Sequence, residues 1–408
     1  VTARFTLARA AGATAAGLSR LTGRGGGTTI GGRVTLLVDP DALAQAAAGR
    51  ELALVSGTNG KTTTRTLLVA ALQTRGPVVS NAGGANLPTG LTAALTADRA
   101  SRVGVLEVDE PFLPRVAAAV RPRAVVLLNL SRDQLDRYAE VRRLAGIWRD
   151  ALDSAAATVV ANADDPLVVW AASAATDVVW VGAGQGWTYD STSCPACGDI
   201  LRRDGDGGWH SAGCGLSRPA TQWQADGDEI VDPGGRRYPV ALALPGQVNV
   251  GNAALAVAAA AHVWAVDPAV ALAAMAAIPS VEGRYLETSY RGRPVRLLLA
   301  KNPAGWSEAL RMARPDAPVV VAVNARAADG RDPSWLWDVP FEVLQGRHAI
   351  ATGERSRDVA VRLRYAGVDH VRVDDAAAAL AAAHGSGPVE ILANYTAFQT
   401  YRKVVGNA

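Results

Sequence analysis

The segment Leu52 to Thr64, LALVSGTNGKTTT, constrains the fold of this chain more than any other. It begins with an apolar run too short for a helix, continues into a glycine-rich turn, and from Thr62 to Gln73 takes on helical spacing with good helix formers. Strand, loop, helix is the opening of a parallel α/β unit, because a parallel neighbour is reached only through a crossover. Buried-strand runs at Val103 to Val108, Ala124 to Asn129 and Thr158 to Ala161 alternate with helical stretches, so one α/β domain is expected over residues 50–285. Inside it, residues 186–235 become rich in Gly, Asp, Trp and Cys and lose helical periodicity, which reads as an insertion. The alternation then restarts, with strands expected at Val295 to Leu299, Val319 to Val323, His348 to Thr352, His370 to Val373 and Glu390 to Ala393. Residues 286–408 therefore read as a second α/β domain, and residues 1–49 as an N-terminal helix and linker.

The loop after the first strand has phosphate chemistry. Backbone N–H groups of a Gly-rich turn converge on phosphate oxygens, Lys61 can reach the terminal phosphates, Thr62 can ligate Mg²⁺, and the following helix adds the positive end of its dipole. Gly57, Thr58, Asn59, Gly60, Lys61, Thr62 and Thr63 are the candidate contacts. Val55 or Ser56 stands where the strict pattern has its first glycine. The plainer alternative is a polar turn, but Lys61 is one of only three lysines, with Lys301 and Lys403, in a chain that otherwise uses arginine.

A net charge of +3 names no nucleic-acid partner. The longest apolar stretch, Ala253 to Val266, contains His262 and is shorter than a membrane span, so no transmembrane helix is expected. Residues 1–38 carry arginines at 4, 9, 20, 24 and 33 and no acid, a pattern that can imitate a transit peptide or a surface-seeking helix. The expected reading is an ordinary helix followed by a hinge at Gly23 to Gly27.

The three cysteines, Cys194, Cys197 and Cys214, exclude a disulfide framework and point to a reducing cytoplasm. No other thiol exists in the chain, so nucleophilic thiol chemistry would have to come from a partner. CPAC has the spacing that lets two thiolates face one Zn²⁺. Cys214 would be a third ligand, Ser211 or Ala212 stands where a fourth cysteine belongs, and His210 is the candidate fourth ligand of a structural site.

Several polar groups follow strands at the edge where α/β sheets bind ligands. Glu107 ends one strand, with Asp109 and Glu110 as alternatives for a cation. Asn162, Asp164 and Asp165 in NADDP can meet a base or ribose, or form an Asx turn stopped by Pro166. Asn249 and Asn252 precede an Ala-rich helix and are nucleotide contacts or helix caps. ADGRDPSWLWD, Ala328 to Asp338, is an acidic, Trp-bearing loop of the kind that can orient a histidine, or a surface turn.

GTNGKTTT, NAGGANLPTGL (Asn81 to Leu91), EVDE (Glu107 to Glu110), NLSRDQLDRY (Asn129 to Tyr138), NADDP (Asn162 to Pro166) and KNPAG (Lys301 to Gly305), in this order, resemble the Mur ligase superfamily. The RDQLDRY form, the cysteine insertion and ADGRDPSWLWD narrow the resemblance to the MurT family, over about residues 50–408. It implies a P-loop ATPase domain with a Cys-containing ribbon-like insertion, followed by a Rossmann-like C-terminal α/β domain. It also implies ATP-dependent amidation, through an acyl phosphate, of the α-carboxyl of D-glutamate in the lipid II stem peptide. The ammonia would come from glutamine hydrolysed by a GatD-type glutaminase in a heterodimer, at the cytoplasmic side of the membrane that carries lipid II.

By the same resemblance, Lys61, Glu107 and Asp332 are the catalytic candidates, Thr62 and Glu107 hold Mg²⁺, and Asn252, Arg284, Lys301 and Asn302 join the ATP contacts. Asp332 would complete the Cys–His pair of the glutaminase, with Asp329 and Asp338 as rivals and Trp335 and Trp337 as core or interface anchors. The chain departs from the superfamily in three places: Gln134 replaces a metal-binding His, no lysine lies between Lys61 and Lys301 to be carbamylated, and Leu298 stands where Asp is frequent. Two other readings compete, a stand-alone Mur or folylpolyglutamate-type amino acid ligase and a non-catalytic nucleotide-binding scaffold.

Overall fold

A computed structural model describes residues 2–22, 28–81, 83–133, 140–154, 156–184, 186–205, 207–278, 284–385 and 387–406. Gln134 and the residues after it through Ala139 lie outside the described residues. The chain divides into two compact units, one of residues 1–131, 140–243 and 247–279, the other of residues 132–139, 244–246 and 280–408.

In the first unit, α1 (Ala3–Leu21), α2 (Thr28–Val38) and α3 (Ala42–Ala47) precede the sheet, so part of the expected linker is helical. The sheet contains β1 (Glu51–Ser56), β2 (Val78–Ser80), β3 (Val103–Glu107), β4 (Ala124–Leu127), β5 (Thr158–Asn162) and β6 (Val178–Gly182), all parallel. Helices α4 (Lys61–Gln73), α5 (Pro88–Ala97), α6 (Leu113–Val120), α7 (Val141–Leu152) and α8 (Pro166–Ala172) make the crossovers. The strands are apolar throughout because both faces are covered. Ala53 and Val55 of β1 pack with Leu67 and Leu68 of α4, while Leu52 and Leu54 pack with α3, α5 and α6 on the other side.

The insertion is smaller than expected. A hairpin of β7 (Leu201–Arg203) and β8 (Trp209–Ser211) forms its own small sheet. In contrast, β9 (Trp223–Asp226) pairs with β6, and β10 (Glu229–Val231) and β11 (Arg237–Pro239) extend the main sheet to nine strands. Trp223, Ala225 and Ile230 alternate inward onto α9 (Gln247–Trp264), which with α10 (Pro268–Ala276) completes one face. Residues 222–235 therefore belong to the domain body.

The second unit is a six-stranded sheet of β12 (Tyr285–Tyr290), β13 (Arg293–Leu299), β14 (Val319–Ala322), β15 (Ala349–Thr352), β16 (His370–Arg372) and β17 (Val389–Ala393). Their order is β12-β13-β17-β14-β15-β16, parallel except for β12. β12 was not anticipated and begins just before the expected boundary. α11 (Pro303–Met312) and α12 (Ser356–Tyr365) cover one face, α13 (Ala376–Ala382) and α14 (Tyr395–Gly406) the other.

Candidate functional site

In the first unit β1 lies between β3 and β4 in the sheet, and the connections leaving β1 and β4 run to opposite sides, toward β2 and β5. Such a switch point opens a crevice at the carboxyl ends of the strands, and the Ser56–Lys61 loop sits in it. Register fixes its neighbours: Val55 pairs with Glu107 and Ser56 with Leu127.

Two glycines give the loop its path. Gly57 has φ 149° and Gly60 has φ 85°, and a Cβ on Gly60 would come 2.5 Å from Asn252 Oδ1. Asn129 holds the loop from β4, its Oδ1 accepting from the Asn59 amide at 2.9 Å and its Nδ2 donating to the Asn59 carbonyl at 3.1 Å. The Thr58 hydroxyl accepts from the Ser131 amide at 3.0 Å, and Asn59 Nδ2 donates to Ser131 Oγ at 3.1 Å. No side chain caps α4, whose N-terminus carries Lys61, Thr62 and Thr63. A tight turn without side chains at its glycines, ahead of an uncapped helix start, is a cradle shaped for phosphate oxygens.

Lys61 is buried, with Nζ 2.8 Å from Glu110 Oε2 and 3.8 Å from Asp109 Oδ1. Burial alone would lower the Lys61 ammonium, but the Glu110 and Asp109 carboxylates outweigh it and hold it above its ordinary value. Burial likewise pushes Glu110 up, and Lys61 reverses this to hold the carboxyl below its usual range. Glu107 is also buried; its carboxylate lies 3.8 Å from Arg65 Nε and accepts from Asn86 Nδ2 at 3.5 Å. Asn81 brackets its backbone, accepting from the Glu107 amide and donating to its carbonyl. The three acids thus separate: Asp109 and Glu110 face Lys61, and Glu107 faces Arg65. Thr62 and Glu107 offer only oxygen donors, which suits Mg²⁺.

Asn252 lies within α9 and not at its start, so it is no cap; its Oδ1 accepts from the Thr64 hydroxyl at 3.3 Å and its Nδ2 donates to Asn249 Oδ1 at 3.2 Å. The NADDP acids have structural partners. Asp165 caps α8, accepting from the Leu167 and Val168 amides, and also from the Leu130 amide at 2.8 Å. Asp164 takes the Gly184 amide at 2.7 Å and Arg218 at 2.8 Å, while Asn162 donates to the Leu128 carbonyl at 2.8 Å.

The three cysteine sulfurs lie within 4.8 Å of one another, the one cluster of metal-ligating side chains among the described residues. His210 is not part of it. Side chains alternate along β8, so Trp209 and Ser211 turn inward and His210 turns out toward Asp204, 3.7 Å away. Ser211 takes the fourth position, its Oγ 3.4 Å from Cys197 Sγ and 3.7 Å from Cys214 Sγ. The Ser211 hydroxyl, with the Asp199 backbone, lowers the Cys197 thiol to about 7. The three cysteine sulfurs have the donor chemistry of a Zn²⁺ site. The knuckle is tied to the domain, Trp209 donating to the Ala163 carbonyl at 3.1 Å and Arg142 to the Pro195 carbonyl at 3.0 Å.

In the second unit, Lys301 and Asn302 follow β13, and the carbonyl of Arg284 accepts from the Leu299 amide at 3.0 Å. Lys301 Nζ stands 5.6 Å from the Tyr395 ring centroid. Asn302 caps α11 through the Gly305 amide at 2.9 Å, and its buried Nδ2 has no hydrogen-bond partner. The loop after β14 separates the rival acids. Asp329 is buried and consumed by the fold, accepting from the Thr396 amide at 2.8 Å, the Thr396 hydroxyl at 2.5 Å and the Arg326 amide at 3.2 Å. Asp332 is exposed in a turn, its oxygens bound by the Ser334 amide at 2.9 Å and hydroxyl at 2.8 Å, which hold its carboxyl below the usual range. Asp338 lies 3.2 Å from Arg132 of the same unit. The tryptophans separate too: Trp335 packs on Trp306 at 5.9 Å, whereas Trp337 is 55% exposed against Tyr365 at 5.4 Å.

The Mur ligase middle domain family matches residues 55–260, and the MurT ligase C-terminal family matches residues 299–398. The lipid II isoglutaminyl synthase (glutamine-hydrolyzing) subunit MurT of Streptococcus pneumoniae is 32% identical over 386 residues, 86% of this chain and 84% of that protein. Among solved structures, a pseudomurein peptide ligase type C from Methanothermus fervidus shares the fold with a TM-score of 0.70 at 21% identity, covering 88% of this chain and 79% of that one. A MurF ligase from Thermotoga maritima in complex with ADP shares it with a TM-score of 0.61 at 16% identity, covering 90% and 84%. The Mur ligase middle domain and the MurT C-terminal domain occur in one chain in the expected order, and this chain belongs to the MurT family of Mur ligases.

Proposed function

We propose that this chain is the ligase subunit of a lipid II isoglutaminyl synthase, amidating the α-carboxyl of D-glutamate in the lipid II stem peptide for peptidoglycan synthesis. The Ser56–Thr64 loop takes the ATP phosphates, Lys61 leaving Glu110 to neutralise the terminal phosphates. Thr62 and Glu107 are the residues that would hold Mg²⁺, which would supply positive charge to offset that of the phosphates. The substrate carboxylate attacks the γ-phosphorus, ADP departs, and an acyl phosphate remains. Ammonia attacks its carbonyl carbon, phosphate leaves with the bonding pair, and the nitrogen sheds a proton to give the amide.

Ammonia is supplied by a glutaminase subunit, since the only thiols here sit in the Cys194–Cys197–Cys214 cluster. Asp332 serves that subunit as the carboxylate that orients its histidine. Its exposure supports this role and the burial of Asp329 argues against the rival. Exposed Trp337 and Tyr365 on the same unit offer aromatic anchors.

The observation that carries the reading is the buried Lys61 on a glycine-shaped loop at the sheet switch point. Lys61→Ala is expected to abolish amidation of lipid II with glutamine and with ammonium salt alike. Retained ammonia-dependent amidation would remove the ATP-site assignment. Incorporation of an amino acid in place of ammonia by the parent enzyme would favour the amino acid ligase.

A further inference from the structure

The proposed reaction uses Glu107 as a ligand for a cation, yet Glu107 already faces a cation of this chain. Arg65 lies one turn beyond Lys61 on α4, and its Nε stands 3.8 Å from Glu107 Oε2. The two side chains are 13% and 4% exposed, so water and salt screen the pair little. An arginine does not deprotonate to relieve such an encounter. The other carboxylate oxygen, Oε1, accepts from Asn86 Nδ2 at 3.5 Å, at the outer limit of a hydrogen bond.

The guanidinium is anchored. Its Nη1 donates to Ser80 Oγ at 3.1 Å and to the Asn81 carbonyl at 2.6 Å, and its Nη2 donates to Thr66 Oγ1 at 3.2 Å. Ser80 Oγ donates in turn to the Val105 carbonyl at 2.7 Å, across the register that pairs Ser80 of β2 with Val105 of β3. The Asn81 side chain holds the amide and the carbonyl of Glu107. Arg65 and Glu107 are therefore fixed to one frame, the edge where β2 lies beside β3. A divalent cation arriving at Glu107 meets a positive charge that stays in place, and their repulsion offsets part of the attraction of the carboxylate.

We propose that Arg65 is the resident counter-ion of Glu107, a positioning residue that orients the carboxylate and makes its binding of Mg²⁺ depend on the negative charge that nucleotide phosphates bring. The inference rests on the phosphate-loop reading given above. One carboxylate opposed by a fixed arginine holds a divalent cation weakly, and the phosphates of a bound nucleotide tip the balance in its favour. Metal and nucleotide then bind together, and the metal does not bind first.

The test is calorimetric titration of Mg²⁺ into the full chain, without nucleotide and with saturating β,γ-methylene ATP. Arg65→Gln should bind Mg²⁺ alone at least about tenfold more tightly than the parent, and should lower the half-saturating Mg²⁺ with nucleotide by a similar factor. Arg65→Lys keeps the charge and should stay within about threefold of the parent. In a Glu107→Gln background, Arg65→Gln should leave the Mg²⁺ requirement unchanged, because the arginine acts through the carboxylate. The double variant should also recover thermal stability lost by Arg65→Gln, since no buried charge is left unpaired. An unchanged Mg²⁺ affinity in Arg65→Gln, or a shift in Arg65→Lys as large as in Arg65→Gln, overturns the proposal and leaves Arg65 a structural contact. Should Arg65→Gln not fold, a difference in Mg²⁺ requirement between Glu107→Gln and the double variant overturns it equally. A parent that binds no nucleotide at any Mg²⁺ concentration removes the phosphate-loop reading and this inference with it, whereas nucleotide binding whose Mg²⁺ dependence ignores Arg65 overturns the inference alone.

Discussion

Lys61 and Glu110 form a buried ion pair at 2.8 Å, so the cation of the phosphate loop is neutralised by its own protein before any phosphate arrives. Each partner holds the other charged against burial. Glu110→Gln should destabilise the protein at neutral pH by about 2–3 kcal/mol. This is somewhat less than a broken buried pair usually costs, since Asp109 remains at 3.8 Å. Because the folded-state pKa of Glu110 is depressed, its contribution is present above the unfolded carboxylate pKa and lost as pH falls through the lower folded one. Urea unfolding of parent and variant should therefore converge in acid below the usual carboxylate range. A difference that persists there would mean the loss is steric.

Gly60→Ala tests the loop path. The new methyl would approach Asn252 Oδ1 at 2.5 Å, on a residue already at φ 85°. A stability loss of about 1–3 kcal/mol is expected, with nucleotide affinity at least about tenfold weaker by calorimetry. Asn252→Ala on top of Gly60→Ala should recover part of the stability by removing the clash but not the backbone strain. Full recovery would show that φ is not restrictive.

Much of this site was legible in the sequence because it is local. A short apolar run, a glycine turn and a helix are contiguous from Leu52 to Gln73, and every strand that the sequence predicts lies within two residues of its expected span, whereas β2 and the internal β6 carry no such signal. Short edge strands were not legible. In β9 to β11 only Trp223, Ala225, Ile230 and Tyr238 turn inward, and three or four residues of alternation look like an irregular insertion. The pairing of Lys61 with Glu110 and of Gly60 with Asn252 joins residues far apart in the chain, which spacing cannot reveal. The choice between His210 and Ser211 turned on strand parity, which depends on the β7–β8 register Leu201↔Ser211.

That parity gives a prediction for the cysteine knuckle. Cys194 is buried with Leu201 and Trp209, so loss of metal there should loosen packing beside the Ala163 carbonyl that Trp209 holds. Cys194→Ser should lower the thermal midpoint by about 5 °C or more while changing turnover of the folded fraction less than about twofold. Ser211→Cys should retain zinc at higher chelator concentration than the parent, and His210→Ala should match the parent. Zinc-free parent protein by elemental analysis, after metal-replete expression, would remove the metal from this account.

The loop after β14 separates a buried acid, Asp329, from an exposed one, Asp332. Asp329→Ala removes a buried acceptor of three hydrogen bonds and should cost about 2–4 kcal/mol, read by denaturant unfolding. Asp332→Asn, at an exposed turn, should change stability by less than about 0.5 kcal/mol. In the complex it should nonetheless depress glutamine hydrolysis by up to about four orders of magnitude, because an amide cannot hold the partner's histidine in the tautomer a triad requires. Ammonium salt should restore amidation, since the proposed acyl phosphate chemistry uses Lys61 and not Asp332. Paired assays on one preparation decide it, glutamate release from glutamine beside amidation with supplied ammonia. Normal glutamate release would transfer the role to Asp338 or to the partner's own residues, and loss of both activities would place Asp332 in the ligase reaction itself.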